Sequence, residues 1–192
     1  MRQTGTNTAV DTALTGRWHL PLPPPLGSLA VQCHAGRVVE AGFDVEAALP
    51  ADPRSTAGAP PGLSAWLTAW LCDRTVAADA APWPIDWQGT PFQQEVWQAI
   101  RSIPRGTVLT YAALAARVGR PAAVRAVAAA CAANRWALLV PCHRVVASHG
   151  GLAGFRWGIE RKQALLALEG VPLSEDPAGR WRVSRLAPAA GR

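Results

Sequence analysis

The chain has 192 residues, 49% of them hydrophobic, enough for one generous domain or two small ones around a real core. It has no uncharged apolar run of about 18 residues, and Met1 to Thr15 is polar, so neither a membrane span nor a secretory leader is expected and the cytoplasm is the default compartment. The formal net charge of +6 is split unevenly, with five arginines against eight acids in residues 1–90 and fourteen basic residues against five acids in 91–192, which points to a polyanion as partner of the second half.

Residues 1–16 read as a loose tail. Leu29 to Cys33 alternates apolar and polar residues, Gly36 and Arg37 make a turn, and Val38 to Val45 resumes the extended pattern, so a β-hairpin is predicted. Leu49 to Gly62 is rich in Pro, Ala and Gly and reads as a loop. Leu63, Trp66, Leu67, Trp70 and Leu71 share one helical face, and both tryptophans belong to the core. Ala80 to Gln88, with Pro82 and Pro84, reads as a strand or linker and holds the predicted domain boundary.

The second half is mostly helical. Thr90-Pro91-Phe92-Gln93 has capping-box spacing with Pro at the first helical position, and Phe92, Val96, Trp97 and Ile100 form the buried stripe. Thr110 caps a helix over Tyr111 to Val118, ended by Gly119 and Pro121. A third helix runs from Ala122 to Ala133 and a last one from Ile159 to Glu169. Between them lie an apolar run, Leu138 to Val140, then Pro141-Cys142-His143-Arg144, Val145-Val146 and a glycine-rich loop from His149 to Gly154. Val171 to Arg192 reads as a flexible tail.

Three features carry chemistry. The helices on either side of Gly119-Arg120-Pro121 suggest a helix-turn-helix. Its second helix has one Arg and no Asn, Gln or Lys, so it suits close approach to a nucleic-acid backbone or a minor groove better than reading base edges; an Ala-rich packing helix has the same composition. Cys142 beside His143 places a thiol next to a base. A thiol becomes a nucleophile through such a neighbour, whereas an inert core thiol is the plain alternative. A zinc deaminase pattern fails because Val145 stands where it needs a second Cys. Glu169 sits at the dipole-unfavourable end of its helix, an anomaly that a basic partner such as His143 removes.

Tyr111-Ala-Ala-Leu-Ala, Arg125-Ala-Val, Asn134, Pro141-Cys142-His143-Arg144-Val145-Val146, Gly154-Phe155-Arg156-Trp157-Gly158, Lys162 and Leu165-Leu166-x-x-Glu169 together resemble the O6-alkylguanine-DNA alkyltransferases, in particular the form found as the C-terminal half of the bacterial adaptive-response regulator. The resemblance covers about residues 86–170. No four-Cys set precedes it, so the regulator's zinc-binding phosphotriester-repair module is not expected. The resemblance implies an α+β fold: a small ribonuclease-H-like antiparallel sheet with a helix over residues 17–85, then a helical, winged-helix-like domain over 86–172 carrying the helix-turn-helix, with 173–192 as a flexible tail.

It also implies the roles. Cys142 accepts an alkyl group from O6 of guanine, or O4 of thymine, in double-stranded DNA, once and irreversibly, since a thioether offers no good leaving group. His143 takes the thiol proton through a water, Glu169 orients His143, and Asn134 braces the turn before Cys142. Tyr111 helps rotate the target nucleotide and donates to the leaving guanine. Arg125 fills the gap left in the base stack, and Ala126, Ala129 and Arg144 complete the DNA contacts. Val145, Ser148, Gly154 and Trp157 line the guanine pocket. Trp157 narrows that pocket if it points inward and packs on the last helix if it points out; composition leaves both open. No cofactor and no metal are expected. Cys33, His34, Cys72 and His19 could in principle hold a structural zinc, but their spacing matches no zinc pattern. The expected assembly is a monomer on damaged DNA.

Two other classes compete. A non-enzymatic sensor of alkylated bases replaces the acceptor Cys, and this chain keeps it. A cysteine hydrolase needs an oxyanion site and has no use for a helix-turn-helix.

Overall fold

The computed structural model describes residues 15–43, 62–73, 81, 83–152 and 154–184. Residues 1–14, nearly all of the loop expected over 49–62, and 185–192 lie outside them. An antiparallel sheet is built from β1 (Gly16–Pro21), β2 (Ser28–His34) and β3 (Arg37–Phe43) in the order β1-β2-β3. The hairpin predicted from residue 29 is therefore the second half of a meander. The first strand, begun within the expected tail, alternates burial from Arg17 to Pro21, with Trp18 and Leu20 turned inward. Helix α1 (Leu63–Cys72) buries Leu63, Trp66, Leu67 and Trp70, the stripe read from the sequence.

The helical half follows. Helix α2 (Pro91–Arg101) opens with both arms of the capping box, Gln93 N donating to Thr90 Oγ1 at 3.3 Å and Thr90 N to Gln93 Oε1 at 2.9 Å. Strand β4 (Leu109–Thr110) leads into α3 (Tyr111–Arg117), capped by Thr110, and the chain turns into α4 (Val124–Ala132). After a 3-10 turn (Cys142–Arg144), β5 (Val145–Val146) pairs parallel with β4; helix α5 (Ile159–Leu168) follows. Residues 173–184 are not a tail: β6 (Leu173–Glu175) and β7 (Trp181–Val183) form an antiparallel hairpin. Trp181 and Val183 alternate with polar residues, and Asp176 receives Ala178 N, Arg180 N and Arg180 Nε, each at 2.9 Å, which ties the turn.

One contiguous core joins the two halves, running from Trp18 through Trp97 and Trp136 to Leu165. The seam is made by β3. Its Val38 receives Asp86 N and donates to Pro84 O, both at 2.9 Å, so the segment before α2 pairs with the strand. Ala41 donates to Arg135 O at 2.9 Å and receives Ala137 N at 2.7 Å, stitching the stretch that leads to Cys142 onto the same strand. Trp87, Trp97 and Trp136 pack with ring centroids 5.0–6.3 Å apart across this junction. Arg105 fastens the far side: it donates to Trp70 O, and at 2.9 Å to Asp73 O, at the C-terminal end of α1. Among the described residues no helix is long and apolar enough to cross a membrane.

Trp97 ties α2 to α4 by donating Nε1–H to the Ala130 carbonyl in the last turn at 2.8 Å. Trp97→Ala is expected to cost about 3–5 kcal/mol through the cavity left behind. Trp97→Phe, which keeps most of the ring but orphans that carbonyl, should cost about 1–3 kcal/mol. Urea denaturation of the two variants measures both.

Candidate active site

Pro141 has φ −78° and ψ 63°, and Cys142 N donates to Val140 O at 2.8 Å. This is an inverse γ-turn, which proline's fixed φ favours. It reverses the chain directly ahead of Cys142, and the 3-10 turn that follows carries both His143 and Arg144 to Glu169. Ahead of it, Leu138 stands at φ 65°, an unfavourable backbone setting for a leucine. What holds this tight path is the amide of Asn134. Its Nδ2 donates to Val140 O at 2.8 Å and to Cys142 Sγ at 3.1 Å, and its Oδ1 accepts Trp136 N at 2.9 Å. Every polar atom of a fully buried side chain is thereby used, and one of its bonds falls on the thiol.

Cys142 is 6% exposed. Burial raises its pKa above the ordinary thiol value, while the Asn134 donor and the charges of Lys162 and Arg156 pull the other way. The resting group is a thiol that needs a base, in surroundings that ease the charge once it forms. Burial also pushes the Tyr111 phenol up to about 12, with the thiols of Cys131 and Cys142 adding to the rise, so Tyr111 stays a hydrogen-bond donor. A Cβ on Gly154 would lie 3.9 Å from the Tyr111 hydroxyl, so the glycine loop faces the phenol.

His143 is turned to Glu169, Nε2 to Oε1 at 3.0 Å. Burial lowers its pKa and Arg144 adds to the fall, against the pull of Glu169, so the ring is neutral. With the carboxylate as acceptor, the tautomer that satisfies the contact carries its proton on Nε2 and keeps Nδ1 as a free lone pair. Burial raises the Glu169 pKa, but His143 and Arg144 overcome it and hold the carboxyl at about 2. No hydrogen bond joins Cys142 to His143, so proton exchange between them requires a bridging molecule.

Arg144 does not stand where the resemblance puts it. Its guanidinium is 1% exposed, with Nε on both Glu169 oxygens at 2.9 and 3.1 Å, Nη2 on Oε1 at 2.6 Å and Nη1 on Ile103 O at 2.5 Å. A buried carboxylate beside a neutral imidazole needs a full counter-charge, and Arg144 supplies it instead of reaching DNA. Trp157 is buried against the other half of the chain. Its indole packs edge-on against Phe43 at 5.9 Å and Phe155 at 5.2 Å, with Nε1 3.1 Å from where Gly42 would carry a Cβ. The ring struts the loop against β3, and the absent side chain of Gly42 makes its seat.

Lys162 was missed as a site residue. It is fully buried, with Nζ donating to Val145 O at 2.7 Å and to Gly154 O at 3.4 Å, which links β5 to the glycine loop. Burial lowers its pKa to about 8 while the Cys142 and Cys131 thiols hold it up. Two signals were available: it is the one lysine among nineteen basic residues, and positions 162, 165, 166 and 169 form a single helical stripe. Arg125, Ala126 and Ala129 lie exposed on α4, Ser148 is exposed in the loop, and Val145 is buried with its carbonyl on Lys162. The four cysteines are free thiols, and no group of three potential metal ligands occurs among the described residues.

Comparison with known proteins supplies a context for this geometry. Residues 91–171 match the family model described as the DNA-binding domain of 6-O-methylguanine DNA methyltransferase. The chain is 57% identical over 86 residues to the bifunctional transcriptional activator/DNA repair enzyme Ada of Escherichia coli, covering 45% of this chain and 24% of that protein. It therefore spans only about a quarter of the Ada chain. It is 43% identical over 117 residues to a methylated-DNA–protein-cysteine methyltransferase of Shigella flexneri, covering 61% of this chain and 67% of that one. Among solved structures, the Mycobacterium tuberculosis OGT in complex with DNA superposes with a TM-score of 0.65 at 32% identity, over 80% of this chain and 91% of that one.

The Glu169 environment sets an acid limit. Its folded pKa of about 2 lies below the ordinary carboxyl value of 4.5, so between these values the unfolded chain binds the extra proton. The stability it contributes is present above pH 4.5 and is lost as pH falls toward 2, by about 3 kcal/mol in all. The urea midpoint should fall across this window in the wild type, and Glu169→Gln should lower stability at neutral pH while flattening that fall.

Proposed function

The chain belongs to the methylated-DNA–protein-cysteine methyltransferase family, and on that footing we propose that it repairs double-stranded DNA by moving the alkyl group of O6-alkylguanine, and of O4-alkylthymine, onto Cys142. The observation that carries the reading is the thiol bonded to Asn134 beside a neutral His143 that is held by an anionic Glu169. Cys142 gives its proton through a bridging water to Nδ1 of His143, and Glu169 stabilises the imidazolium. Sγ then forms a bond to the alkyl carbon as the carbon–O6 bond breaks, and the electron pair leaves with the guanine. Tyr111, held as a phenol, donates to that departing base. The charge of Lys162 favours the thiolate, and Lys162 fixes Val145 O, whose second lone pair faces the guanine edge together with the Ser148 loop. The product thioether has no route back, so each chain acts once.

The helix-turn-helix of α3 and α4 is the DNA-facing element. Arg125, Ala126 and Ala129 form its exposed strip, small enough to lie close to a groove, and Arg125 takes the place of the extruded base. Fold-level analogy adds that the sheet half, residues 17–85, is ribonuclease-H-like and that residues 86–172 are winged-helix-like. The working species is a cytoplasmic monomer on damaged duplex, without cofactor.

Mixing the protein with a duplex bearing one O6-methylguanine should add one methylene, about 14 Da, to its intact mass, and peptide mapping should place it on Cys142. Cys142→Ala should take no methyl and still bind duplex; a methyl found on Cys33, Cys72 or Cys131 overturns the assignment.

Arg125→Ala should slow repair in duplex by about ten-fold or more, because the flipped state then loses its stack-filling group. Reaction with the free modified base should keep its rate. Equal slowing on both substrates refutes that role.

A further inference from the structure

The family match ends at residue 171, and the β6–β7 hairpin follows it. We propose that this hairpin positions the loop of residues 147–152, holding the guanine-facing side of the pocket in register with Cys142. The inference rests on reading that loop as part of the guanine site.

The contacts are made by backbone. Strand β7 pairs with β6 along one edge, and along the other it receives the loop: Leu152 N donates to Trp181 O at 3.1 Å, Val183 N donates to Gly150 O at 2.9 Å, and Gly151 stands opposite Arg182 in an antiparallel bridge. The loop is thus the third strand of a small sheet. The approach is as close as a glycine allows, because a Cβ on Gly150 would lie 2.9 Å from Val183 O, and the residue sits at φ +82°.

The side chains explain why the hairpin stays in place. Trp181 and Val183 turn down onto a second apolar cluster containing Val108, Val146, Leu152, Leu166 and Val171. Val146 lies in β5, directly beyond the turn that carries Cys142, and Leu166 lies on the helix that presents Glu169. One apolar bed therefore supports the hairpin, the loop and both sides of the reacting centre. Ser184 N closes the base of the hairpin on Pro172 O at 2.8 Å. A loop containing Gly150 and Gly151 has much conformational freedom to lose when a base enters. Fixing it beforehand removes that cost from the transfer step.

The test is Val183→Pro in the full chain. It deletes the N–H that reaches Gly150 O and keeps an apolar ring over the bed. Four quantities are compared with the wild type well below the thermal midpoint: saturating methyl transfer from duplex, transfer from free O6-methylguanine, alkylation of Cys142 by iodoacetamide, and binding of unmodified duplex. Both transfers should slow by about ten-fold or more, while iodoacetamide reactivity and duplex binding stay within about two-fold of wild type. Unchanged transfer in a folded variant of lower thermal midpoint shows a stabilising role only and overturns the proposal. A parallel loss of iodoacetamide reactivity overturns it as well. Should the proline variant fail to fold, Trp181→Ala, which loosens the hairpin from its bed, should give the same selective loss, and normal transfer by it refutes the role. A wild-type chain that takes no methyl at all sinks the repair reading itself; a reactive wild type beside unaffected variants sinks only the hairpin.

Discussion

Glu169 keeps a full negative charge in the interior, and much of the architecture around Cys142 follows from how that charge is held. A carboxylate taken out of water at the end of a helix that already repels it persists only if other groups replace its hydration. Arg144 does so with the whole edge of its guanidinium, and His143 with one N–H. Arg144 and His143 are consecutive, so they can both reach Glu169 only from a tight turn. That turn is the one that starts at Cys142. The ion network and the placement of the nucleophile are in this sense a single constraint. The Ile103 carbonyl on Arg144 extends it to the end of α2.

The division of labour between the two cations is informative. Arg144 bonds both Glu169 oxygens and cannot give up its proton, so Glu169 keeps one permanent counter-charge while His143 exchanges its own. His143 is thereby free to change protonation state without unbalancing the site. Lys162, on the other side, is close to the thiol and carries a lowered pKa, so its charge is the adjustable one. The ion pair fixes the turn that starts at Cys142, and the charge of Lys162 lowers the cost of ionising its thiol.

Much of this was legible from residue order. The helix starts were written in Thr90-x-x-Gln93 and Thr110, because capping is a local hydrogen bond between near neighbours. The turn at Pro141 was legible because proline restricts its own φ. What could not be read were destinations of long side chains. Arg144 in sequence is one more arginine in a basic half; only the fold brings it to a carboxylate twenty-five residues away. Trp157 was ambiguous for the same reason, since its seat is the missing side chain of Gly42 on a strand from the other half. The β6–β7 hairpin was hidden because its strands are three residues long, too short for alternation to stand out, and their apolar face is completed by residues as distant as Val108.

Strand β3 gives its outer edge to the second half of the chain at Val38 and Ala41, two N–H and two C=O groups, with Trp136 Nε1 adding a fifth bond to Val38 O at 3.2 Å. The second half is therefore not a self-contained cassette. Separated from this sheet, Arg135, Ala137, Pro84 and Asp86 lose their backbone partners at once, beside an apolar face that includes three tryptophan rings. Any architecture that joins the same catalytic segment to a different N-terminal region has to offer it an equivalent β edge. Recombination of such modules is then limited by the geometry of a socket, and the sequence on either side of the joint is free to drift as long as that socket is kept.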